Sequence, residues 1–306
     1  MSTVTAPADA RDNSSTPAHL ELGSKSGGRA AKNTIATIVM WACFFLAMVP
    51  LVWILYAVLS EGLHMLFTSS WWSTSQANMT SRLSGGGAYH AIMGTLLMAA
   101  VTSIISVPIG IFTAIYLVEY GRGTFARVVS FMVDILTGVP SIVAGLFIYA
   151  VFITTLGGQR NGFASSLALM LLMIPVIVRS TEEMLKLVPN ELREASYALG
   201  VPKWKTIASV VLPTAFGGIV TGVLLGLARV MGETAPLLIL TPYTKFINMN
   251  LFNGYMATLP TMINQERTEA LAPAIERSWG TALTLILIIL VLNVAGRLVA
   301  HFSKVK

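Results

Sequence analysis

Stretches of about twenty residues without Asp, Glu, Lys or Arg recur along this chain, and that is the length an α-helix needs to cross the hydrocarbon core of a bilayer. Because no water is available there, each crossing segment must satisfy its own backbone hydrogen bonds, which points to helices. The candidate spans are Thr34–Leu59, Ala91–Val118, Val128–Leu156, Phe163–Val178, Ile207–Leu240 and Ser278–Ala295. The fifth exceeds one crossing and is expected to enter the bilayer after Pro213. Composition agrees: 55% of residues are hydrophobic and 11% charged, against about a quarter charged in soluble domains. The fold class is therefore an all-α polytopic membrane protein.

Basic residues set the orientation. With both termini in the cytoplasm, fourteen of the 20 Lys and Arg fall in inner segments, five in outer loops and one, Arg229, within a span; the positive-inside rule favours that arrangement. The net charge of +6 follows from topology, and no basic stripe is interleaved with stacking aromatics, so no nucleic-acid partner is expected. Residues 1–33, rich in Ser, Ala, Thr and Gly, lack a signal-peptide core and are expected to form a disordered cytoplasmic tail ahead of a membrane domain at 34–306. Cys43 lies in the first span without a Cys or His partner nearby and reads as packing.

Two connections are long. The outer segment Thr241–Arg277 contains Asn264–Leu271, which is expected to form a short surface helix, either a landing surface for a partner or a solvated loop. The inner segment Arg179–Thr206 contains Pro189–Gly200, where Leu192, Ala195, Ser196 and Leu199 share one helical face. Asn190 is placed to cap that helix, and Gly200 and Pro202 to end it.

Glu194-Ala195-Ser196, followed after three residues by Gly200 and after nine more by Val210-Val211-Leu212-Pro213, resembles the coupling signature of importer-type ABC permeases. The resemblance implies that this cytoplasmic helix docks on a nucleotide-binding subunit, where small residues permit close approach. Ser196 stands where that family's signature has Ala. An amphipathic helix resting on the bilayer surface is the plainer alternative. No Lys in the chain is preceded by Gly and followed by Ser or Thr, so the phosphate-cradling loop of an ATPase is missing. ATP and Mg are therefore expected on a separate subunit, with no cofactor in this chain.

The fifth span carries two further features. Gly218, Gly222 and Gly226 recur every four residues, a smooth strip for close helix approach. Arg229 and Glu233, also four apart, place charge where each ionised group costs about 2.5 to 3.5 kcal/mol on insertion scales. They form either a self-neutralising pair or a polar station, in which the guanidinium offers paired donors suited to phosphate oxygens and Thr234 adds a hydroxyl.

The run Ala228–Leu238, together with Ala114–Tyr120 and Asp134–Leu146, resembles the A-type permeases of the phosphate-specific transport system, over roughly Ile92 to the C-terminus. That resemblance implies a six-helix importer permease in the inner membrane, a heterodimer with a homologous permease, two nucleotide-binding ATPase subunits and an extracytoplasmic phosphate-binding protein. It also assigns Arg229, and with it Glu233, to phosphate passage. Asp134 belongs either to that path or to an ion pair with a loop arginine, and Pro140 is expected to kink its helix. Three other readings stand beside this one: a permease for another oxyanion or polar solute, a proton-coupled secondary transporter using Asp134 and Glu233, and a membrane enzyme using Glu233.

Overall fold

The computed structural model describes residues 27–302, and helices dominate them. They are α1 (Gly27–Leu66), α2 (Ser69–Ser73), α3 (Tyr89–Tyr120), α4 (Gly123–Gly138), α5 (Ser141–Thr155), α6 (Gly162–Lys186), α7 (Asn190–Ala198), α8 (Lys203–Met231), α9 (Ala235–Leu240), α10 (Leu259–Thr268) and α11 (Ala272–Phe302). Five of them, α1, α3, α6, α8 and α11, are long and apolar enough to span a bilayer; α4 and α5 qualify together as a sixth, broken span. Most of the disordered tail expected at 1–33 lies outside the described residues, and α1 is already helical from Gly27.

The chain divides into two compact units at Ile54 and Leu55. The described part of the first is one helical stretch of α1, along which the rings of Trp41, Phe44 and Phe45 contact one another. Cys43 is exposed on this stretch and not packed in a protein core.

The second unit is built around α3 and α6. They run parallel, with the Thr102 hydroxyl donating to the Ser166 carbonyl and Gly110 set against Ile177. The glycine strip of α8 packs on α6, as its spacing predicts: a Cβ at Gly218 would strike the Met184 side chain, and one at Gly222 the Ser180 side chain. Buried Val178, Leu185, Val211, Ala215 and Ile219 fill the seam between these helices. At the end of α3 opposite its Tyr120 terminus, α10 closes over the bundle, where the Leu259 amide donates to the Thr95 hydroxyl.

Three elements differ from the sequence expectation. The span expected at Val128–Leu156 is two helices bent by 108°; Pro140 has no amide to donate and forces Val139 into an extended conformation, so the chain turns a corner where a kink was expected. The span expected to end at Val178 continues to Lys186, because Arg179 and Lys186 both meet Glu182 and Arg179 also meets Asp134. The helix expected at Asn264–Leu271 instead runs from Leu259 to Thr268, started by Pro260 and a reciprocal Thr258–Thr261 cap, and it is buried along one side.

Candidate functional site

The expected site residues fall into two groups at different levels of the bundle. The first sits where α8 ends. Gly232 terminates that helix, residues 232–234 are non-helical, and Pro236 lies in the first turn of α9. The fifth span is thus broken, with Arg229 in the last turn of α8 and Glu233 and Thr234 in the break. The Arg229 side chain remains 47% exposed and its Nε is 3.9 Å from Glu233 Oε1, an attraction without a hydrogen bond. Arg229 follows Thr221 and Leu225 at four-residue intervals on an open face of α8. Its guanidinium is held near a carboxylate without being saturated by it, and its fork of donors is free for an oxyanion.

Asp134 is not part of that group. It pairs with Arg179 of α6, which also bonds Glu182 at 2.6 Å and the Ser130 carbonyl at 3.1 Å. The sequence left open a place on the path or an ion pair with a loop arginine; the partner found here, Arg179, is in helix α6.

The second group is the helix after α6. α7 covers Asn190–Ala198 and turns back at Gly200, whose φ of +77° lies in the left-handed region open to glycine. Asn190 is the first helical residue and does not cap; its Oδ1 accepts from Arg193 at 3.3 Å. Arg193 was not singled out from the sequence, yet it organises this region. Its Nη2 is 2.9 Å from Glu119 Oε1 at the end of α3, and its guanidinium also donates to the carbonyls of Leu185 and Val188. Both charged side chains are largely buried, at 12% and 5% exposed. Lys203, at the start of α8, donates to the Glu119 carbonyl and lies over the Tyr120 ring.

The Ser196 hydroxyl is buried 2.8 Å from that of Thr206, which ties α7 to the base of α8. The family departure at position 196 is therefore used as a hydrogen bond. In consequence α7 is fastened to the ends of α3, α6 and α8. Leu199 and Trp204 remain exposed at 83% and 66%, and Glu194 and Ala195 are exposed as well.

A further Arg–Glu pair lies at the opposite end of α3. Arg277, in the first turns of α11, is 2% exposed and Glu266 of α10 is 1% exposed, with Nη2 and Oε2 2.8 Å apart. Arg277 also donates to the carbonyls of Leu83, Gly85 and Ser81. Arg277 was expected on an outer loop; charge pairing and three carbonyls let it be buried in a helix. Beside it, the Tyr243 hydroxyl donates to Gln76 at 2.8 Å and lies 3.1 Å from His90 Nε2. Burial, reinforced by the Glu266 charge and opposed by Arg277, pushes the Tyr243 hydroxyl well above its ordinary range.

With this geometry in place, the chain matches the family described as binding-protein-dependent transport system inner membrane component over residues 106–304. The chain belongs to that family. This permease is 51% identical over 271 residues, 89% of each chain, to the phosphate transport system permease protein PstA 1 of Mycobacterium tuberculosis. It is 38% identical over 283 residues to PstA of Yersinia pestis, covering 92% of this chain and 94% of that one. Among solved structures it resembles the permease fold of a bacterial alginate ABC transporter, with a TM-score of 0.58 at 11% identity over 90% of this chain and 95% of that one. The methionine ABC transporter MetNI gives 0.55 at 19% identity, over 71% and 94%. These likenesses establish the importer-permease fold and a multi-pass inner-membrane subunit.

Proposed function

We propose that this permease carries inorganic phosphate inward as one subunit of an ATP-driven importer, with Arg229 as a transient electrostatic station on the path. The observation that carries the reading is the half-exposed Arg229 guanidinium, 3.9 Å from Glu233, at the break between α8 and α9. It is supported by relatives bearing the name of phosphate permeases at 51% and 38% identity. A station of this kind must release as well as attract, so an incompletely paired arginine suits it better than a saturated one. Glu233 limits how tightly an anion is held, and the Thr234 hydroxyl supplies a further donor.

In this reading both termini are cytoplasmic and α7 docks through Glu194, Ala195, Ser196 and Gly200 on one of two ATPase subunits, which bind ATP and Mg. A homologous permease completes a heterodimer, and a phosphate-loaded binding protein delivers substrate to the α10 end. Closure of the ATPases would move α7, and with it the ends of α3, α6 and α8 to which Arg193 and Ser196 fasten it, switching access from one side of the membrane to the other.

The test is phosphate uptake into vesicles containing the permease pair and ATPase, with binding protein on the outer face. Arg229→Gln is expected to abolish uptake while the complex assembles and its ATPase still binds ATP. Normal uptake by that variant would sink the assignment, and uptake that follows a proton gradient without ATP would overturn the docking role of α7.

A further inference from the structure

One open cavity is lined by none of the site residues above. It is a groove of about 660 Å³ between α8 and α11, lined by Pro213, Thr214, Gly217 and Thr221 on one side and by Arg297 and His301 on the other. The two helices are antiparallel and touch where Leu224 meets Gly296; a Cβ at Gly296 would lie 2.5 Å from a Leu224 methyl. The groove lies on the α7 side of that contact, between residues 213–221 of α8 and 297–301 of α11.

Arg297 and His301 are four residues apart and share a helix face. Both are exposed, and neither makes an ion pair or hydrogen bond with the other described residues. No carboxylate lines the groove. That separates Arg297 from Arg179, Arg193 and Arg277, each of which meets a carboxylate within 2.9 Å or closer.

We propose that this groove is a second binding site for a phosphate group, carried either by an anionic lipid headgroup or by free phosphate leaving the path. The guanidinium fork of Arg297 fits the tetrahedral oxyanion, with the imidazole of His301 one turn away; on the opposite wall the Thr214 and Thr221 hydroxyls donate to the Val210 and Gly217 carbonyls, which leaves Arg297 and His301 as the donors. Basic pockets between membrane helices near the cytoplasmic interface are sites for lipid phosphates. Thr221 is also two turns of α8, about 12 Å, from Arg229 on the same open face, so the groove lies in line with the proposed path. Gly217 leaves the wall open: a Cβ there meets nothing within 4 Å.

The site rests on the permease fold and not on the role of Arg229, so an Arg229→Gln chain that transports normally would sink the path reading and leave this one standing. The test uses the complete importer complex in nanodiscs, comparing wild type, the Arg297→Gln/His301→Gln double variant, and Gly217→Leu, which fills the groove without removing charge. In one arm the discs contain phosphatidylcholine and phosphatidylglycerol, and retained lipid is counted by native mass spectrometry. In the other they contain phosphatidylcholine alone and binding of radiolabelled inorganic phosphate is measured in an Arg229→Gln background.

Both groove variants are expected to lose about tenfold or more, the loss typical of one charge-assisted hydrogen bond, in one arm. Loss of phosphatidylglycerol identifies a lipid site, and loss of inorganic phosphate an exit station. No loss in either arm overturns the proposal, as does a loss with the charge variants that Gly217→Leu fails to reproduce.

Discussion

Two Arg–Glu pairs in this chain have the same chemistry and opposite settings. Arg277 and Glu266 are 2% and 1% exposed, 2.8 Å apart, and the arginine is further satisfied by backbone carbonyls. Arg229 and Glu233 are 47% and 17% exposed and 3.9 Å apart. The first pair has no donor to spare and joins α10, α11 and the loop through Ser81–Gly85. The second holds a guanidinium in place and leaves it open. What separates the structural arginine from the one proposed for phosphate passage is saturation, not residue type.

The comparison is broken or sharpened by substitution at each pair. Arg277→Gln leaves the Glu266 carboxylate buried alone and is expected to cost about 3 to 5 kcal/mol, seen as a large fall in the thermal stability of the purified complex; a stable variant that merely loses uptake would break the distinction. Glu119→Gln strips the charge partner from Arg193 but leaves its carbonyl bonds, and about 1.5 to 3 kcal/mol is expected, together with less phosphate moved per ATP hydrolysed. ATP use that stays coupled would show that the fastening of α7 to α3 is not used in transport.

Ser196→Ala restores the family residue at the cost of the Thr206 hydrogen bond, about 1 kcal/mol, measurable as a small shift in the same melting curve. Arg229→Gln is expected to change stability least, by under about 1 kcal/mol because the pair is loose and partly solvated, although uptake is lost. The Tyr243 hydroxyl adds a pH test. Its raised value means that its contribution is complete below the unfolded value of about 10 and is eroded as pH climbs above it; Tyr243→Phe should remove that alkaline slope from the stability profile.

Hydrophobic length and glycine spacing made most of the spans and the α8–α6 contact legible, since both are properties of consecutive residues on one helix. Helix α7 was legible for the same reason, because Gly200 and Pro202 end it locally; of the four residues expected on one face, Ser196 is buried and Leu192, Ala195 and Leu199 are exposed. Local reading erred where long-range charge pairing decides. In the extension of α6, Arg179 pairs with Asp134, 45 residues away, and Arg277 is buried where Glu266 and three carbonyls reach it. The 108° corner at Pro140 had its cause in the sequence; its angle did not.

The sequence by itself determined that the chain crosses a membrane several times as helices, that it carries a discrete helix on the connection after α6, and that charge sits inside the fifth span. Those follow from the cost of burying backbone and charge, which depends on composition within a single segment. Only the tertiary structure decided which arginines are spent and which are free. A pair such as Arg193 and Glu119, separated by 74 residues, depends on which helix ends meet, and that is set by packing among helices.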